Sequence, residues 1–258
     1  MRPRRLFGTN GIRGVVNRDL TPEFVMRVGS AVGTFFRGGR VLVGRDGRTS
    51  SPMFLHSIIG GLVATGCTVY DGGMAPIPAV QYAVKHFQMD GGVMITASHN
   101  PPEYNGIKVV AEDGVELPRE QEIEIENLFF TGKFRWAEWR TVGTTRQLPG
   151  ILNVYTEAVK RHVDVDAIKK RGFHVVVDPG NGVGVLAAPY LLREMGCRVT
   201  TMNANVDGTF PSRPSEPTPE NLGELASMVR AVGADLGVAY DGDADRSIFV
   251  DDKGEVHW

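Results

Sequence analysis

Apolar and polar positions follow two rhythms along the chain, one helical and one strand-like. At Phe24, Val25, Val28, Val32 and Phe35 the apolar residues recur at helical spacing. Thr21 caps that helix, Pro22 fits its first turn, Glu23 meets the positive end of the dipole, and Gly38-Gly39 ends it. Val41-Leu42-Val43-Gly44 reads as a buried strand, followed by a polar loop, Arg45 to Ser50, and a helix from Ser51-Pro52 toward Ala64. Arg45 and Arg48 beside that helix start either hold an anion or pair with Asp46. Gly66 to Asp71 is the next strand, Gly72 to Pro78 a turn, and Val80, Val84 and Phe87 mark another helix. Val93-Met94-Ile95 follows as a strand, so strands and helices alternate, as in an α/β fold.

The second half repeats the rhythm. Between the halves, Val109-Val110 and Val115-Glu116-Leu117 around Asp113-Gly114 predict a small hairpin, and Pro118 opens an acidic helix with Ile123, Ile125 and Leu128 inward. Glu120, Glu122, Glu124 and Glu126 read as its solvated face. Periodicity fades from Thr131 to Pro149, where the inter-domain connection is expected, with Trp136 and Trp139 packing it. Tyr155 to Val163 reads as a helix leading into the second domain. Phe173 to Val177 then forms a strand into the glycine-rich turn Pro179 to Gly184, whose spacing does not fit the dinucleotide fingerprint G-x-G-x-x-G. His174 at the strand entrance reads as structural. Strand, polar glycine loop, helix and Gly-Cys-x-Val occur from Val41 to Val69 and again from Val175 to Val199, which suggests duplication. Asn205 to Pro219 is a long proline-rich loop, and Pro219 opens the last helix.

Two loops stand out chemically. Gly91 to Pro102 runs from an apolar strand into Thr96-Ala97-Ser98-His99-Asn100-Pro101, which delivers Ser98 and His99 to a strand's C-terminal end, where open α/β sheets place ligands. Glu103 to Lys108 reads as a turn that brings the Lys108 ammonium back toward the serine. After the apolar run Leu236 to Tyr240 comes Asp241-Gly242-Asp243-Ala244-Asp245-Arg246. Three carboxylates at alternate positions repel one another unless a cation neutralises them, and hard oxygen donors suit Mg²⁺. An EF-hand fits poorly, because its sixth position would be Arg246 rather than glycine. Arg246 offers a planar fork for a phosphate.

These two stretches, with Asn105-Gly106-Ile107-Lys108 and the opening Phe7-Gly8-Thr9-Asn10-Gly11-Ile12-Arg13-Gly14, resemble the motifs of the α-D-phosphohexomutases, a family that includes phosphoglucomutase/phosphomannomutase and phosphoglucosamine mutase. The resemblance implies two related three-layer α/β domains with mixed, mostly parallel sheets: a phosphoserine domain over 1–140 and a metal-binding domain over 141–258. It implies a phosphotransferase-type isomerase that interconverts hexose 1-phosphate and 6-phosphate through phosphorylated Ser98 and a hexose 1,6-bisphosphate. Mg²⁺ would sit on Asp241, Asp243, Asp245 and Ser98. Arg13 and Arg246 would steady the phosphate, and Lys108 would act as general acid/base with His99 assisting. As an amine Lys108 is a poor base, so burial or neighbouring charge is expected to lower its pKa. Complete family members have two further domains, for sugar recognition and for the substrate's phosphate. The chain thus reads as an N-terminal half (a cut piece, a proteolytic product or one product of a split gene), inactive as a mutase alone and awaiting its C-terminal half. The competing reading is a phosphate-binding or regulatory half-module, or a residual sugar-phosphate phosphatase.

Composition narrows the field further. At 258 residues the chain suits two domains, and 42% hydrophobic with 22% charged residues is ordinary for a globular protein. A net charge of −2 argues against nucleic-acid and membrane partners, and the only basic cluster is Arg2, Arg4 and Arg5. No apolar run is long enough to span a bilayer, which predicts a cytoplasmic protein. Cys67 and Cys197 read as small buried residues in different domains, not as a pair.

Overall fold

The computed structural model describes residues 5–8 and 11–258, so Arg2, Arg4, Thr9 and Asn10 lie outside the described residues. The first half comprises β1 (Ile12–Val15), α1 (Pro22–Phe35), β2 (Arg40–Arg45), α2 (Ser51–Ala64), β3 (Thr68–Met74), α3 (Ile77–His86), β4 (Gly91–Ile95), β5 (Tyr104–Ala111), α4 (Arg119–Thr131), β6 (Thr144–Gln147) and α5 (Ile151–Lys160). Its sheet runs β1-β5-β4-β2-β3-β6. The pairs β4–β2, β2–β3 and β3–β6 are parallel, while β1–β5 and β5–β4 are antiparallel. Helices α1, α2 and α4 bury one face of this sheet and α3 and α5 the other, which makes three layers. The central strand β4 begins with two glycines because helices press close from both sides. A Cβ on Gly91 would lie 2.2 Å from the Phe36 ring, and one on Gly92 would lie 2.6 Å from Val84.

The second half comprises α6 (Val165–Arg171), β7 (His174–Asp178), α7 (Ala188–Glu194), β8 (Arg198–Thr201), α8 (Gly223–Val232), β9 (Leu236–Tyr240), β10 (Ser247–Asp251) and β11 (Val256–His257). Its sheet runs β11-β10-β9-β7-β8, with β9–β7 and β7–β8 parallel and the other two pairs antiparallel. Helix α8 covers one face and α6 with α7 the other. The order β5-β4-β2-β3 in the first sheet and β10-β9-β7-β8 in the second is one topology used twice, in line with the repeat in the sequence.

Several local expectations change. The segment read as a turn before Lys108 is the start of β5, antiparallel to β4 with Lys108 opposite Met94. The expected hairpin is reduced to one bridge, Val110 to Glu116. Thr144–Gln147, within the expected connection, runs parallel to β3 as an edge strand of the first sheet. The α5 residues Ile151, Leu152 and Tyr155 pack into the first domain's core, so the chain leaves the first three-layer unit after α5, later than residue 140. Glu126 is not on a solvated face: it is 5% exposed and accepts from the Leu6 and Phe7 amides and from Arg119. Trp136 and Trp139 are 58% and 80% exposed, so they do not pack the connection. Cys67 and Cys197 are buried and unpaired, and His174 is buried against Thr200. Among the described residues no helix is long and apolar enough to cross a membrane.

Candidate active site

The site is built where equivalent loops of the two domains meet. The β4–β5 loop carries Ser98 and the β9–β10 loop carries Asp241 to Arg246, each leaving the C-terminal end of a central strand. Both loops contain a non-glycine residue in the left-handed region, Ser98 at φ 51° and Ala244 at φ 59°. Such backbone costs on the order of 1–3 kcal/mol and persists only where surroundings hold it. Around Ser98 they do. Its amide donates to Thr96 Oγ1 at 2.9 Å, and its carbonyl accepts from Arg48 Nη2 at 2.9 Å and from Ser215 Oγ at 3.2 Å. The second loop then packs on the first without a side chain between them: a Cβ on Gly242 would lie 2.7 Å from the Ser98 carbonyl oxygen.

The reactive groups converge across this contact. Ser98 Oγ donates to Asp241 Oδ2 at 2.8 Å, and His99 Nδ1 lies 3.3 Å from the same hydroxyl. Thr96 Oγ1 donates to Asp243 Oδ2 at 3.1 Å, and Lys108 Nζ donates to Asp245 Oδ2 at 2.9 Å, with Asp243 Oδ2 at 3.3 Å. The antiparallel register of β5 against β4 therefore puts the ammonium among the carboxylates, as an ion-pair partner. Arg13 on β1 lies beside Gly106 of β5 and donates to Asn100 Oδ1 at 2.5 Å. An open cleft of about 760 Å³ lies outside the serine loop, lined by Arg5, Arg13, His99, Asn100 and Arg246 among others.

Charge in the cluster is unbalanced. Burial, and then Asp243 and Asp245, push the Asp241 carboxyl up to about 8. Burial also raises Asp243, against the pull of Lys108. Asp245, by contrast, ends below the usual carboxylate range because Lys108 outweighs burial. Burial opposes the charge on Lys108, but Asp243 and Asp245 prevail and raise its pKa, the reverse of the lowering expected from sequence. Burial and Arg246 lower the His99 imidazole, against Glu216.

Two buried side-chain polar atoms lack a hydrogen-bond partner among the described residues: Asp243 Oδ1 and Arg13 Nε. Such groups are rare, and each implies a missing ligand or a stored cost. The carboxylate oxygen calls for a cation and the guanidinium nitrogen for an anion. Ligand oxygens of Asp241, Asp243 and Asp245 lie within 4.8 Å of one another, a hard, all-oxygen donor set that fits a divalent cation.

Two contributors, Ser215 and Glu216, escaped the sequence reading, as did the reach of Arg48 beyond its expected aspartate. Arg48 is 1% exposed; it pairs with Asp46 at 3.1 Å and donates to the carbonyls of Ser98, Asn100, Pro101 and Tyr104. This settles the alternative left open for that residue: it pairs with Asp46 and clamps the serine loop. Ser215 and Glu216 come from the proline-rich loop, which crosses over the serine loop with Phe210 against Arg48. Glu216 meets His99 at 3.4 Å and pairs with Arg246. Proline-stiffened loops of that length are frequently functional, which was the available signal.

Comparison with known proteins agrees with the geometry. The description "Phosphoglucomutase/phosphomannomutase, alpha/beta/alpha domain I" matches residues 4–136, and the corresponding domain II matches residues 153–254. A phosphoglucomutase/phosphomannomutase of Thermococcus kodakarensis is 52% identical over 255 residues, covering 97% of this chain and 56% of that protein. A phosphoglucosamine/phosphogalactosamine mutase of Sulfurisphaera tokodaii is 50% identical over 256 residues, covering 98% of this chain and 56% of that protein. The crystal structure of a phosphoglucomutase/phosphomannomutase family protein from Burkholderia thailandensis superposes with a TM-score of 0.86 at 31% identity, covering 97% of this chain and 55% of that one. The chain spans about half the length of the curated relatives it matches. With both domain descriptions matched in order and the serine and aspartate loops meeting at one site, the chain belongs to the phosphoglucomutase/phosphomannomutase family of isomerases.

Proposed function

We propose that the chain carries the phosphoserine half of a phosphohexomutase, moving a phosphoryl group between Ser98 and a hexose phosphate. The observation that carries this reading is Ser98 Oγ, 2.8 Å from Asp241, in a site whose two orphaned buried atoms ask for one cation and one anion. Asp241, Asp243, Asp245 and the Ser98 oxygen would hold Mg²⁺, which when bound spreads negative charge from the phosphoryl oxygens. Arg13 and Arg246, which both line the cleft, bind the phosphates, and the Arg13 Nε donor is already desolvated.

In the transfer from a hexose 1,6-bisphosphate to the enzyme, the bond between phosphorus and a sugar oxygen breaks and the bond between phosphorus and Ser98 Oγ forms. Lys108, held protonated by its two aspartates, gives a proton to the departing sugar oxygen. The serine proton passes to His99 Nδ1, 3.3 Å away, and solvent returns the balance. The reverse transfer, to the other hydroxyl, completes an isomerisation between hexose 1-phosphate and 6-phosphate. Turning the bisphosphate over needs groups from the remainder of the relatives' length, supplied in the same polypeptide or by a partner, and these two domains alone do not sustain turnover. Relatives named for two hexoses and for two hexosamines match this region at 52% and 50% identity, so these two domains do not choose the sugar.

The test is a single-turnover assay with Mg²⁺ and glucose 1,6-bisphosphate, measuring glucose monophosphate released against phosphate gained by the protein. One-to-one stoichiometry is expected. Steady release of inorganic phosphate without protein-bound phosphate would overturn the reading in favour of a phosphatase.

A further inference from the structure

We propose that Glu216 is a positioning residue that sets the phosphate-facing wall of the site by holding His99 and Arg246 at once. The inference rests on the phosphotransfer reading and adds to it a residue from a loop that carries none of the motifs.

The geometry is specific. Glu216 lies on the proline-rich loop, three-quarters buried with its side chain 23% exposed. One carboxylate oxygen, Oε1, pairs with Arg246 Nη1, and the other, Oε2, lies 3.4 Å from His99 Nε2. The two partners come from different domains, His99 from the β4–β5 loop and Arg246 from the β9–β10 loop, and both line the same cleft. A planar carboxylate is suited to this, because its two oxygens can each accept from a separate cationic or N–H donor.

Each contact has a consequence. Arg246 is otherwise 45% exposed, and a long exposed side chain loses much rotamer freedom when it binds. Anchoring Nη1 on Glu216 leaves Nε and Nη2 of the fork uncommitted to that carboxylate and available to an anion in the cleft that Arg246 lines. For His99, the Glu216 carboxylate 3.4 Å from Nε2 favours hydrogen on that ring nitrogen, which leaves the lone pair of Nδ1 for Ser98 Oγ at 3.3 Å. Ser98, His99 and Glu216 thus stand in a row, an acceptor oriented by a third group. The loop that brings Glu216 is fixed to the same place by its neighbour, since Ser215 Oγ donates to the Ser98 carbonyl. Glu216 is therefore registered to the serine within one residue of chain.

The decisive experiment is Glu216→Gln in the Mg²⁺-loaded protein, with glucose 1,6-bisphosphate as donor and the initial rate of Ser98 phosphorylation read by quenched intact-mass analysis. A glutamine oxygen can accept from one partner, while its amide faces the other's donor. The expected rate loss is about 10-fold, the scale of a lost orienting contact, with the melting temperature unchanged. In a His99→Gln background the same substitution should cost markedly less, because one of its two partners is already gone. A structural role would not produce that non-additivity. Equal rates for Glu216→Gln and the unaltered protein, or a loss fully additive with His99→Gln, would overturn the proposal. Should Glu216→Gln fail to fold, Glu216→Asp, too short to span both partners, carries the same test. An unaltered protein that takes no phosphate at Ser98 points to a failure of the phosphotransfer reading itself, which is a distinct result.

Discussion

The two domains share a topology but solve opposite problems at the same position. In the first, the loop after the central strand presents a hydroxyl, and every polar group of Ser98 is satisfied: amide on Thr96, carbonyl on Arg48 and Ser215, hydroxyl on Asp241. In the second, the equivalent loop presents three carboxylates, of which Asp241 and Asp243 are fully buried and Asp243 Oδ1 has no partner. Each domain also has a buried arginine pairing with an aspartate at the end of its first central strand, Arg48 with Asp46 and Arg213 with Asp178. Arg48 donates onward to the serine loop and Arg213 to the Tyr240 carbonyl, just before the aspartates. The scaffold is thus common, and the difference lies in whether the protein itself completes the loop. The serine loop satisfies its own polar groups, whereas the aspartate loop leaves Asp243 Oδ1 without a partner among the described residues.

The sharpest way to break this comparison is to neutralise the unfinished loop. Asp243→Asn should lower Mg²⁺-dependent phosphorylation of Ser98 by roughly 10³-fold, the scale of several kcal/mol of charge stabilisation. It should also abolish the rise in melting temperature that Mg²⁺ gives the unaltered protein. If Mg²⁺ still stabilised the variant fully, the cation would bind elsewhere.

Next in size are the paired arginines. Arg48→Met and Arg213→Met each take from a buried carboxylate its only cationic partner among the described residues, leaving it neutral donors alone (Ser51 for Asp46, Asn203 and the Gly180 amide for Asp178), which costs about 3 kcal/mol in denaturant unfolding. Arg48→Met should in addition silence Ser98, while Arg213→Met should weaken Mg²⁺ binding more than serine chemistry. Identical profiles for the two variants would show that the pairs do not serve separate loops.

The pH dependence of the cation-free protein separates the loops again. Asp241 is raised in the folded state, to about 8, so it binds more protons folded than unfolded between the ordinary carboxylate range and that value. Its contribution is fully present below pH 4 and is lost as pH rises through about 8, which makes the chelated protein less stable by a few kcal/mol at most over that window. Melting temperatures in chelator should fall from pH 5.5 to 8.5, and Asp241→Asn should flatten the slope. A slope unchanged in Asp241→Asn would place the cost on another group.

The smallest effects are expected far from both loops. Thr21 caps α1 through the Phe24 amide at 3.2 Å, and Asp164 caps α6 through Ala167 at 2.9 Å. Thr21→Ala and Asp164→Ala should each cost about 1 kcal/mol and leave phosphorylation of Ser98 intact. A change in phosphorylation from either would mean that the loops are coupled to their scaffolds more widely than the comparison holds.

Legibility followed distance along the chain. The helix at Thr21, the strands before Ser98 and Asp241, and the duplicated topology were readable because hydrophobic period and cap residues are local signals. Ser98 and the three aspartates were readable because an apolar strand ending in reactive groups is a local pattern as well. Glu216 and Ser215 were not, nor was the reach of Arg48 past Asp46 to the serine loop, since each of these contacts joins positions 50 or more residues apart. Glu126 failed in the other direction: an acidic run resembles a solvated face until the N-terminal segment docks on it. The raised pKa of Lys108 was hidden for the same reason, since Asp243 and Asp245 reach it only once the domains meet.

Phosphate on Ser98 is the direct mark of one phosphotransfer site shared by the two loops. Peptide mapping of the protein after incubation with Mg²⁺ and glucose 1,6-bisphosphate tests for it most directly, with Ser98→Ala alongside. Phosphate is expected on the peptide containing Ser98, confined to that residue and absent from the variant. Phosphate on another residue, phosphate persisting in Ser98→Ala, or none on the unaltered protein would contradict that expectation.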